Sequence, residues 1–372
     1  MHLFWLLFAP AFAYQCLSLI CLFKFRERGR DAPPASVNWP AVSVLKPVRG
    51  VDPNTYEAFI SQAEQEYPQF EILFGIREEN DPVISAIRHL QQQFPAVPIR
   101  VIRCTTAAPN GKVGLLIDLS REARYPIWVV NDGDIKVTKN YLTAVVTPLA
   151  DRSIGVVTCP YRAYSHSMAT RWEALGIASD FIPSTIVAQS LGVRDFGLGS
   201  TLAFRAEDLL LAGGFEALAD YLADDFQLAR RIASLGKRAF LSSYVVETSL
   251  GEASWRGTWN HQLRWARTIK ASKGAGYVGL PITHAGLWAA IALACGAWIP
   301  AVTLIAIRIL TGLLSSVMLR SLSTAALCWL TPVWDLYAFA IWVAAWTGNT
   351  VRWRDQILRI DREGRIRDRL KP

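Results

Sequence analysis

Three short clusters carry the chemistry that this sequence can offer. The first is Asn131-Asp132-Gly133-Asp134. Two carboxylates at i and i+2 about a glycine can both reach one hard cation. Mg2+ or Mn2+ takes carboxylate oxygen and keeps positions open for phosphate, so such an ion can neutralise the diphosphate of a nucleotide leaving group. A D-x-D also arises in ordinary surface turns; this one directly follows the apolar run Ile127-Trp128-Val129-Val130. The second cluster is Leu222-Ala223-Asp224-Asp225-Phe226-Gln227-Leu228. Adjacent helical residues do not share a face, so one of the two acids turns inward. A carboxylate so placed near a phosphate site suits a general base for an acceptor hydroxyl; a solvated helix N-terminus bearing acids is the other reading. The third is His261-Gln262-Leu263-Arg264-Trp265, with Arg267 just beyond. Arg264 and Arg267 can offer forked donors to diphosphate oxygens, and Trp265 can pave an acceptor site. Equally, this stretch can lie on a membrane, arginines snorkelling and Trp255, Trp259 and Trp265 at headgroup level. Both can hold together.

The elements that must position these groups alternate. Val42–Val48 is a β-branched run ended by Pro47 and Gly50, and Asn54–Glu66 follows as a helix with Asn54 a plausible N-cap. Phe70–Ile76, Ile99–Arg103 and Ile127–Val130 read as strands, and Pro82–Phe94 and Val113–Ala123 as helices. Strands alternating with helices of this length indicate βαβ units, an α/β fold and a mostly parallel sheet covered on both faces. Ligands bind at the carboxyl ends of such strands. No G-x-G-x-x-G or P-loop follows any strand, so another device must hold phosphate.

The 372 residues are 52% hydrophobic, and the excess gathers in two places, the first 23 residues and Thr283 to Thr347. His2–Phe23 is long enough to span a bilayer. Ala11-Phe12-Ala13 has the look of a signal-peptide cleavage site, but no positive region precedes it and the apolar run continues past it, which favours an uncleaved anchor. The net charge of +8 is concentrated beside these segments: Lys24, Arg26, Arg28 and Arg30 after the first, and Arg352, Arg354, Arg359, Arg362, Arg365, Arg367, Arg369 and Lys371 after the last. Juxtamembrane cations facing anionic cytosolic lipid account for this placement, and nucleic acid is not an expected partner. The N-terminus is then outside and Lys24 onward cytosolic. Ala285–Ile307 and Ala325–Trp346 make two further spans, with Ile309–Leu319 interfacial or re-entrant between Arg308 and Arg320. Asp335, inside the last span, either faces a packed or wet interior or marks a shifted helix boundary. The six cysteines show no metal spacing and read as small buried hydrophobes.

Taken in order and with their separations, the clusters resemble the family 2 glycosyltransferases, and within them the ceramide glucosyltransferase group with its bacterial hopanoid-associated relatives. Leu45-Lys46-Pro47-Val48-Arg49-Gly50-Val51-Asp52-Pro53-Asn54 is similar to that group's entry motif. Asn80-Asp81-Pro82 resembles the first family aspartate and implies a uridine contact for Asp81. Asn110-x-Lys112 resembles the segment near the diphosphate, and Asp132-Gly133-Asp134 the metal-binding D-x-D. Gly213-Gly214-Phe215 followed by Asp224-Asp225 implies that Asp225 is the catalytic base. His261 stands where the Q/R-x-x-R-W motif opens, while Arg264 and Trp265 match it. The stretch from Arg171 to Leu198 is closer to bacterial members, which implies a bacterial inner membrane.

The resemblance implies a GT-A-type, Rossmann-like nucleotide-sugar domain and an inverting single displacement: Asp132 and Asp134 on Mn2+ or Mg2+, a UDP-sugar donor, and a membrane lipid acceptor at the bilayer surface. Asp224, His261 and Arg267 are secondary or acceptor-side candidates. The expected organisation is an anchor over 1–23, a basic linker over 24–40, a catalytic domain over 41–270, a connector over 271–284, a transmembrane region over 285–347 and a basic tail over 348–372. A hopanoid N-acetylglucosaminyltransferase, a processive polysaccharide synthase and a non-enzymatic membrane scaffold are the alternatives. The synthase normally needs more spans, and a scaffold has no use for acids at all three positions.

Overall fold

The computed structural model describes residues 2–28, 39–353 and 356–370. The basic residues Arg30, Arg354 and Lys371 and most of the expected linker 24–40 lie outside them. The apolar N-terminal run forms α1 (His2–Arg28), whose last turns include Lys24 and Arg26. The chain folds as two compact units, one of Asp31–Tyr161 and Val193–Gly251, the other of Met1–Arg30, Arg162–Gly192 and Glu252–Pro372.

The first unit is built on a seven-stranded sheet. Its strands are β1 (Val42–Pro47), β2 (Phe70–Ile76), β3 (Ile99–Arg103), β4 (Ile127–Val130), β5 (Ile154–Thr158), β6 (Leu202–Arg205) and β7 (Arg238–Leu241). Their spatial order is β3-β2-β1-β4-β6-β5-β7. β1 pairs in parallel with β2 and β4, Val42 opposite both Phe70 and Ile127. β2 and β3 are also parallel, as are β5 and β7. β6 runs antiparallel to β4 and β5. The apolar strands β2 and β4 are buried along their whole length, as a sheet covered on both faces requires. The rings of Trp128, Phe204 and Phe215 pack together above the sheet, with centroids 6.1–6.3 Å apart. Asn54 precedes the helix Thr55–Ala63 but does not cap it; its amide donates to Ser249 Oγ (3.1 Å) instead.

Two consequences of this topology position the candidate residues. The strand order reverses direction between β1 and β4, and the crevice outside that switch is where open α/β sheets bind ligands. The reversed β6 starts at Leu202, opposite Val130 at the end of β4, so the residues just before β6 arrive at the same edge.

The second unit gathers the apolar helices. It holds α1, α3 (Met168–Gly176), a π-helical turn Ile177–Phe181, α4 (Ile182–Ser190) and α6 (Trp255–Lys273), followed by α7 (Ala285–Ala294), α8 (Trp298–Met318) and α9 (Thr331–Trp346). The segment 162–192, read from sequence as part of the catalytic stretch, folds here because its small and apolar residues pack on the long helices. A Cβ on Gly176 would stand 1.9 Å from the Trp334 ring, and Ser315 Oγ of α8 donates to the Ala178 carbonyl (2.5 Å). Among the described residues three helices are long and apolar enough to cross a membrane, Leu7–Glu27, Trp298–Met318 and Cys328–Trp346, and the bent pair Gly276–Thr283 and Ala285–Ala294 would make a fourth if it is one span.

The expected span Ala285–Ile307 is not one helix. It breaks at Cys295-Gly296-Ala297, where Gly296 takes a left-handed φ of 73°, a conformation that ends helices. Pro300 sits in the first turn of α8, where its missing N–H has no consequence. α8 then absorbs Ile309–Leu319, expected to be interfacial, nearly to its end. Arg308 is therefore mid-helix and buried, its guanidinium 2.7 Å from Asp335. Asp335 faces a packed interior, where only a paired charge is tolerable.

The basic tail is folded as well. β9 (Thr350–Trp353), β10 (Gln356–Ile360) and β11 (Ile366–Leu370) form an antiparallel sheet that turns Val351, Leu358, Ile360 and Ile366 inward.

Candidate active site

The turn after β4 is pinned from beneath. Asn131 is fully buried, and its Oδ1 accepts from Lys46 Nζ (2.7 Å) at the end of β1. The same ammonium donates to the Asp132 carbonyl (3.0 Å). Asn131 Nδ2 donates to Tyr141 Oη (3.3 Å), which in turn meets Thr201 Oγ1 (3.1 Å). Burial pushes the Lys46 ammonium down to about 8, against the pull of Asp134 and Asp132. Lys46 was not among the candidates; the signal was a lysine inside an otherwise apolar central strand.

Lys112 is delivered by the start of α2 (Gly111–Glu122). Asn110 caps that helix, its Oδ1 accepting from the N–H groups of Lys112 (3.0 Å) and Val113 (3.3 Å). The Asn110 amide also donates to the Tyr221 carbonyl (2.8 Å) and to Asp224 Oδ1 (3.4 Å). Lys112 Nζ thus sits between Asp132 Oδ1 (2.7 Å) and Asp224 Oδ2 (3.3 Å). Burial works to lower its pKa, but Asp132 and Asp224 more than offset this and hold it well above the ordinary lysine value.

Asp224 and Asp225 open α5 (Asp224–Ala233), where the helix N-terminus favours negative charge. Asp224 is the inward one, bound by Lys112 and Asn110. Asp225 Oδ1 accepts from the N–H of Phe226 (2.7 Å). Its other oxygen faces Gly199: a Cβ on that glycine would lie 3.3 Å from Asp225 Oδ2 and 3.5 Å from Asp132 Oδ2. The glycine keeps open a gap lined by two carboxylates from separate motifs. Burial first, then the charge of Asp224, pushes the Asp225 carboxyl up to about 6, while Lys112 draws it back. That is near the value a general base needs at neutral pH.

Asp134 Oδ2 accepts from Thr248 Oγ1 (2.5 Å) and the Ser249 N–H (3.2 Å), both on β8 (Val246–Ser249). Burial, then Asp132, raises its pKa. Among the described residues no three His, Cys, Asp or Glu side chains gather to hold an ion unaided. The donor set still fits a hard cation, since Asp132 and Asp134 supply carboxylate oxygens and Mg2+ or Mn2+ commonly takes one or two of these with substrate phosphates completing its shell. Asp81 is buried and committed to the backbone. Its oxygens accept from Gly50 N–H (3.0 and 3.1 Å), and Oδ1 also from Val83 N–H (2.9 Å) at the start of the helix Val83–Gln93.

The third cluster lies on α6 in the other unit. His261 Nδ1 is paired with Glu173 Oε1, and Gln262 Nε2 donates to the same oxygen (2.9 Å). Glu173 is buried on α3 and was missed from sequence. The Trp265 ring meets those of His261 (4.9 Å) and Phe181 (5.4 Å). Arg264 lies half-buried on the same helix. The Arg267 guanidinium donates to the carbonyls of Ala344 (3.5 Å) and Thr350. Beside it Lys270 donates to the Ala345 carbonyl, so two cations stand at the C-terminal turn of α9, where the helix dipole favours positive charge. Asp132, Lys112, Asp224 and Asp225, with Asp134 and Asp81, thus belong to the sheet unit; His261, Arg264, Trp265 and Arg267 belong to the helical one.

Comparison with known proteins gives this geometry a family. The model of glycosyl transferase family 21 matches residues 3–366. Ceramide glucosyltransferase 1 of Caenorhabditis elegans is 26% identical over 232 residues, which is 61% of this chain and 49% of the relative. Ceramide glucosyltransferase 3 of the same organism is 23% identical over 275 residues, 70% and 57% of the two chains. The chain therefore spans about half the length of these curated relatives. A solved mannosyltransferase from Pyrobaculum calidifontis, in complex with GDP-Man and Mn2+, superposes with a TM-score of 0.56 at 22% identity, covering 91% of this chain and 96% of that one. At this identity the likeness is one of fold, and it agrees with the GT-A-like sheet and the apolar helices expected at both ends. The matching family is numbered 21 where the motifs resembled family 2, and its ceramide glucosyltransferases are the group those motifs pointed to. This protein belongs to glycosyl transferase family 21.

Proposed function

We propose that the protein transfers a hexose from a UDP-sugar to the hydroxyl of a membrane lipid, in the manner of a ceramide glucosyltransferase, with Mn2+ or Mg2+ as cofactor. The observation that carries this reading is the gap at Gly199, bounded by Asp132 on one side and by Asp225, with its pKa raised to about 6, on the other. A base and a diphosphate-side acid flank one space at the carboxyl edge of the sheet. Helices apolar enough to cross a bilayer support a lipid acceptor.

In this reading Asp225 Oδ2 takes the proton of the acceptor hydroxyl as its oxygen bonds to the anomeric carbon, inverting it. The bond from that carbon to the diphosphate breaks, and UDP leaves with the electron pair. Lys112 faces the charge that develops on the leaving group and meanwhile keeps Asp132 and Asp224 from repelling each other. Asp132 and Asp134 would hold the divalent ion, which when bound supplies positive charge against the diphosphate. Asp81 fixes the Gly50 turn and the start of the next helix, and with them the wall against which uracil or ribose would rest. Arg264 and Trp265 are the donor-side candidates from the helical unit, and His261, held by Glu173, an acceptor-side one. The catalytic unit lies in the cytosol of a bacterial cell, with the N-terminus across the inner membrane.

Mass spectrometry of lipids from cells with and without the protein tests the reading. The expected product is a hexosyl-ceramide that appears only with the protein. A hexosaminyl-hopanoid would replace the acceptor and the sugar, and no lipid change would overturn the reading. Because the structural relative was solved with GDP-Man, purified protein should be offered GDP-mannose beside UDP-glucose, UDP-galactose and UDP-N-acetylglucosamine.

A further inference from the structure

A polar seam runs through the apolar helices of the second unit. The helix pair Gly276–Thr283 and Ala285–Ala294 bends by 62° at a break occupied by His284. The His284 ring is buried, its Nδ1 has no hydrogen-bond partner among the described residues, and its Nε2 stands 3.9 Å from Asp180 Oδ2. Gln15 of α1 reaches the same bend. Its Nε2 donates to the Thr283 carbonyl (2.9 Å), while its buried Oε1 has no partner among the described residues. Asp180 lies in the π-helical turn Ile177–Phe181, accepts from Trp334 Nε1 (3.3 Å), and keeps 24% of its side chain exposed. The seam is thus open at Asp180 and closed at Gln15. The next residue, Phe181, meets the Trp265 ring, so the open end adjoins the His261–Trp265 cluster of the same unit.

Each part is costly as mere structure. Single π turns concentrate at functional sites. Ionisable groups among membrane helices are rare without a task. Two buried polar atoms without partners destabilise the fold unless something fills their valence.

We propose that Gln15, His284 and Asp180 seat the polar head of the acceptor, an uncharged lipid head bearing hydroxyl and amide N–H donors; this rests on the reading that the acceptor is a membrane lipid. The donor and acceptor inventory selects that chemistry. Gln15 Oε1 and the Asp180 carboxylate only accept hydrogen bonds. An anionic head would face Asp180 and find Arg308 already met by Asp335 (2.7 Å) and the Ser179 carbonyl (2.8 Å).

The test places the full chain in phosphatidylcholine nanodiscs with a fluorescent short-chain ceramide as probe and no sugar donor. Wild type binds the probe. Asp180→Asn and His284→Gln each weaken that binding roughly tenfold or more, the cost of losing a hydrogen bond to a charged or buried group. UDP affinity stays within about twofold, because Asp81, Lys112, Asp132 and Asp134, the donor-side residues of the sheet unit, share no partner with the seam. A fluorescent diacylglycerol, which lacks the amide, binds more weakly than the ceramide. The seat is overturned if both variants, shown folded by melting and by UDP binding, keep wild-type ceramide affinity. It is equally overturned if wild type takes neither probe or takes the two alike. Ceramide binding without sugar transfer would sink the transfer reading and leave the seat standing. Transfer at an unchanged acceptor KM in both variants would do the reverse.

Discussion

Lys112→Met removes the one ammonium that lies between Asp132 and Asp224, and its effect can be worked from the contacts. The side chain is 17% exposed, Asp224 is 11% exposed and Asp132 46% exposed. Breaking a buried ion pair by deleting one partner costs about 3–5 kcal/mol. Solvent screens the Asp132 half of this bridge, as it does any exposed pair, so about 2–3 kcal/mol is the expected loss. For a unit of this size that lowers Tm by roughly 4–12 °C. The sign is safe at neutral pH. Lys112 has a raised folded pKa, so its contribution is fully present below the ordinary lysine value and fades only as pH climbs through the raised one. The variant also withdraws a charge that lowers the Asp225 pKa, so the acid limb of kcat/KM moves to higher pH. Thermal melting of the detergent-solubilised chain and a pH–rate profile read both effects. Lys112→Met/Asp224→Asn should recover part of the lost Tm, because the carboxylate left unpaired is then gone. A Lys112→Met protein that melts with wild type and keeps its profile would refute this reasoning, as would a double variant less stable than the single one.

Gly199→Ala sets a Cβ within 3.5 Å of both Asp225 Oδ2 and Asp132 Oδ2; kcat/KM should fall at least about tenfold while Tm moves little, and unchanged kinetics would show that the gap is not used. If Asp225 is the base, the kcat/KM of wild type should fall as pH drops through about 6, the value that burial first and then the charge of Asp224 give its carboxyl; a cation at Asp132 moves that limb to lower pH, which profiles at graded Mn2+ would read. Arg308→Met strands Asp335 among the helices and should cost about 3–5 kcal/mol, whereas Arg308→Met/Asp335→Leu removes the whole pair and should recover most of it; melting in detergent decides, and equal losses in both would contradict the pairing.

What could be read from sequence follows from how locally each feature is encoded. β2 and β4 announced themselves as nearly continuous apolar runs of buried parallel strands, and β1 and the edge strand β3, with polar residues among theirs, by their β-branched content and their place between helices. β6 did not: it is four residues long, reversed, and ends on Arg205, whose burial rests on Asp208 (3.0 Å) and the carbonyls of Ile154 (3.0 Å), Leu149 and Asp151 (3.2 Å) receiving it. Asp132, Asp134 and Asp225 were legible as acids beside apolar runs. Gly199 was not, since its meaning is the meeting of two carboxylates distant in the chain. Hydropathy located the apolar C-terminal region but misplaced its helices, because the break depends on the φ of Gly296 and the burial of Arg308 on Asp335. That the Arg267 guanidinium meets the carbonyls of Ala344 and Thr350 is not visible in sequence, because both residues lie some eighty positions away.

In the proposed reaction Asp225 takes the acceptor's proton. Asp225→Asn keeps the shape of the side chain and removes its basicity, so single-turnover measurements with UDP-sugar and lipid should show the transfer rate falling about 10²–10⁴-fold, with UDP-sugar affinity unchanged. A variant that transfers sugar at nearly the wild-type rate would contradict the account.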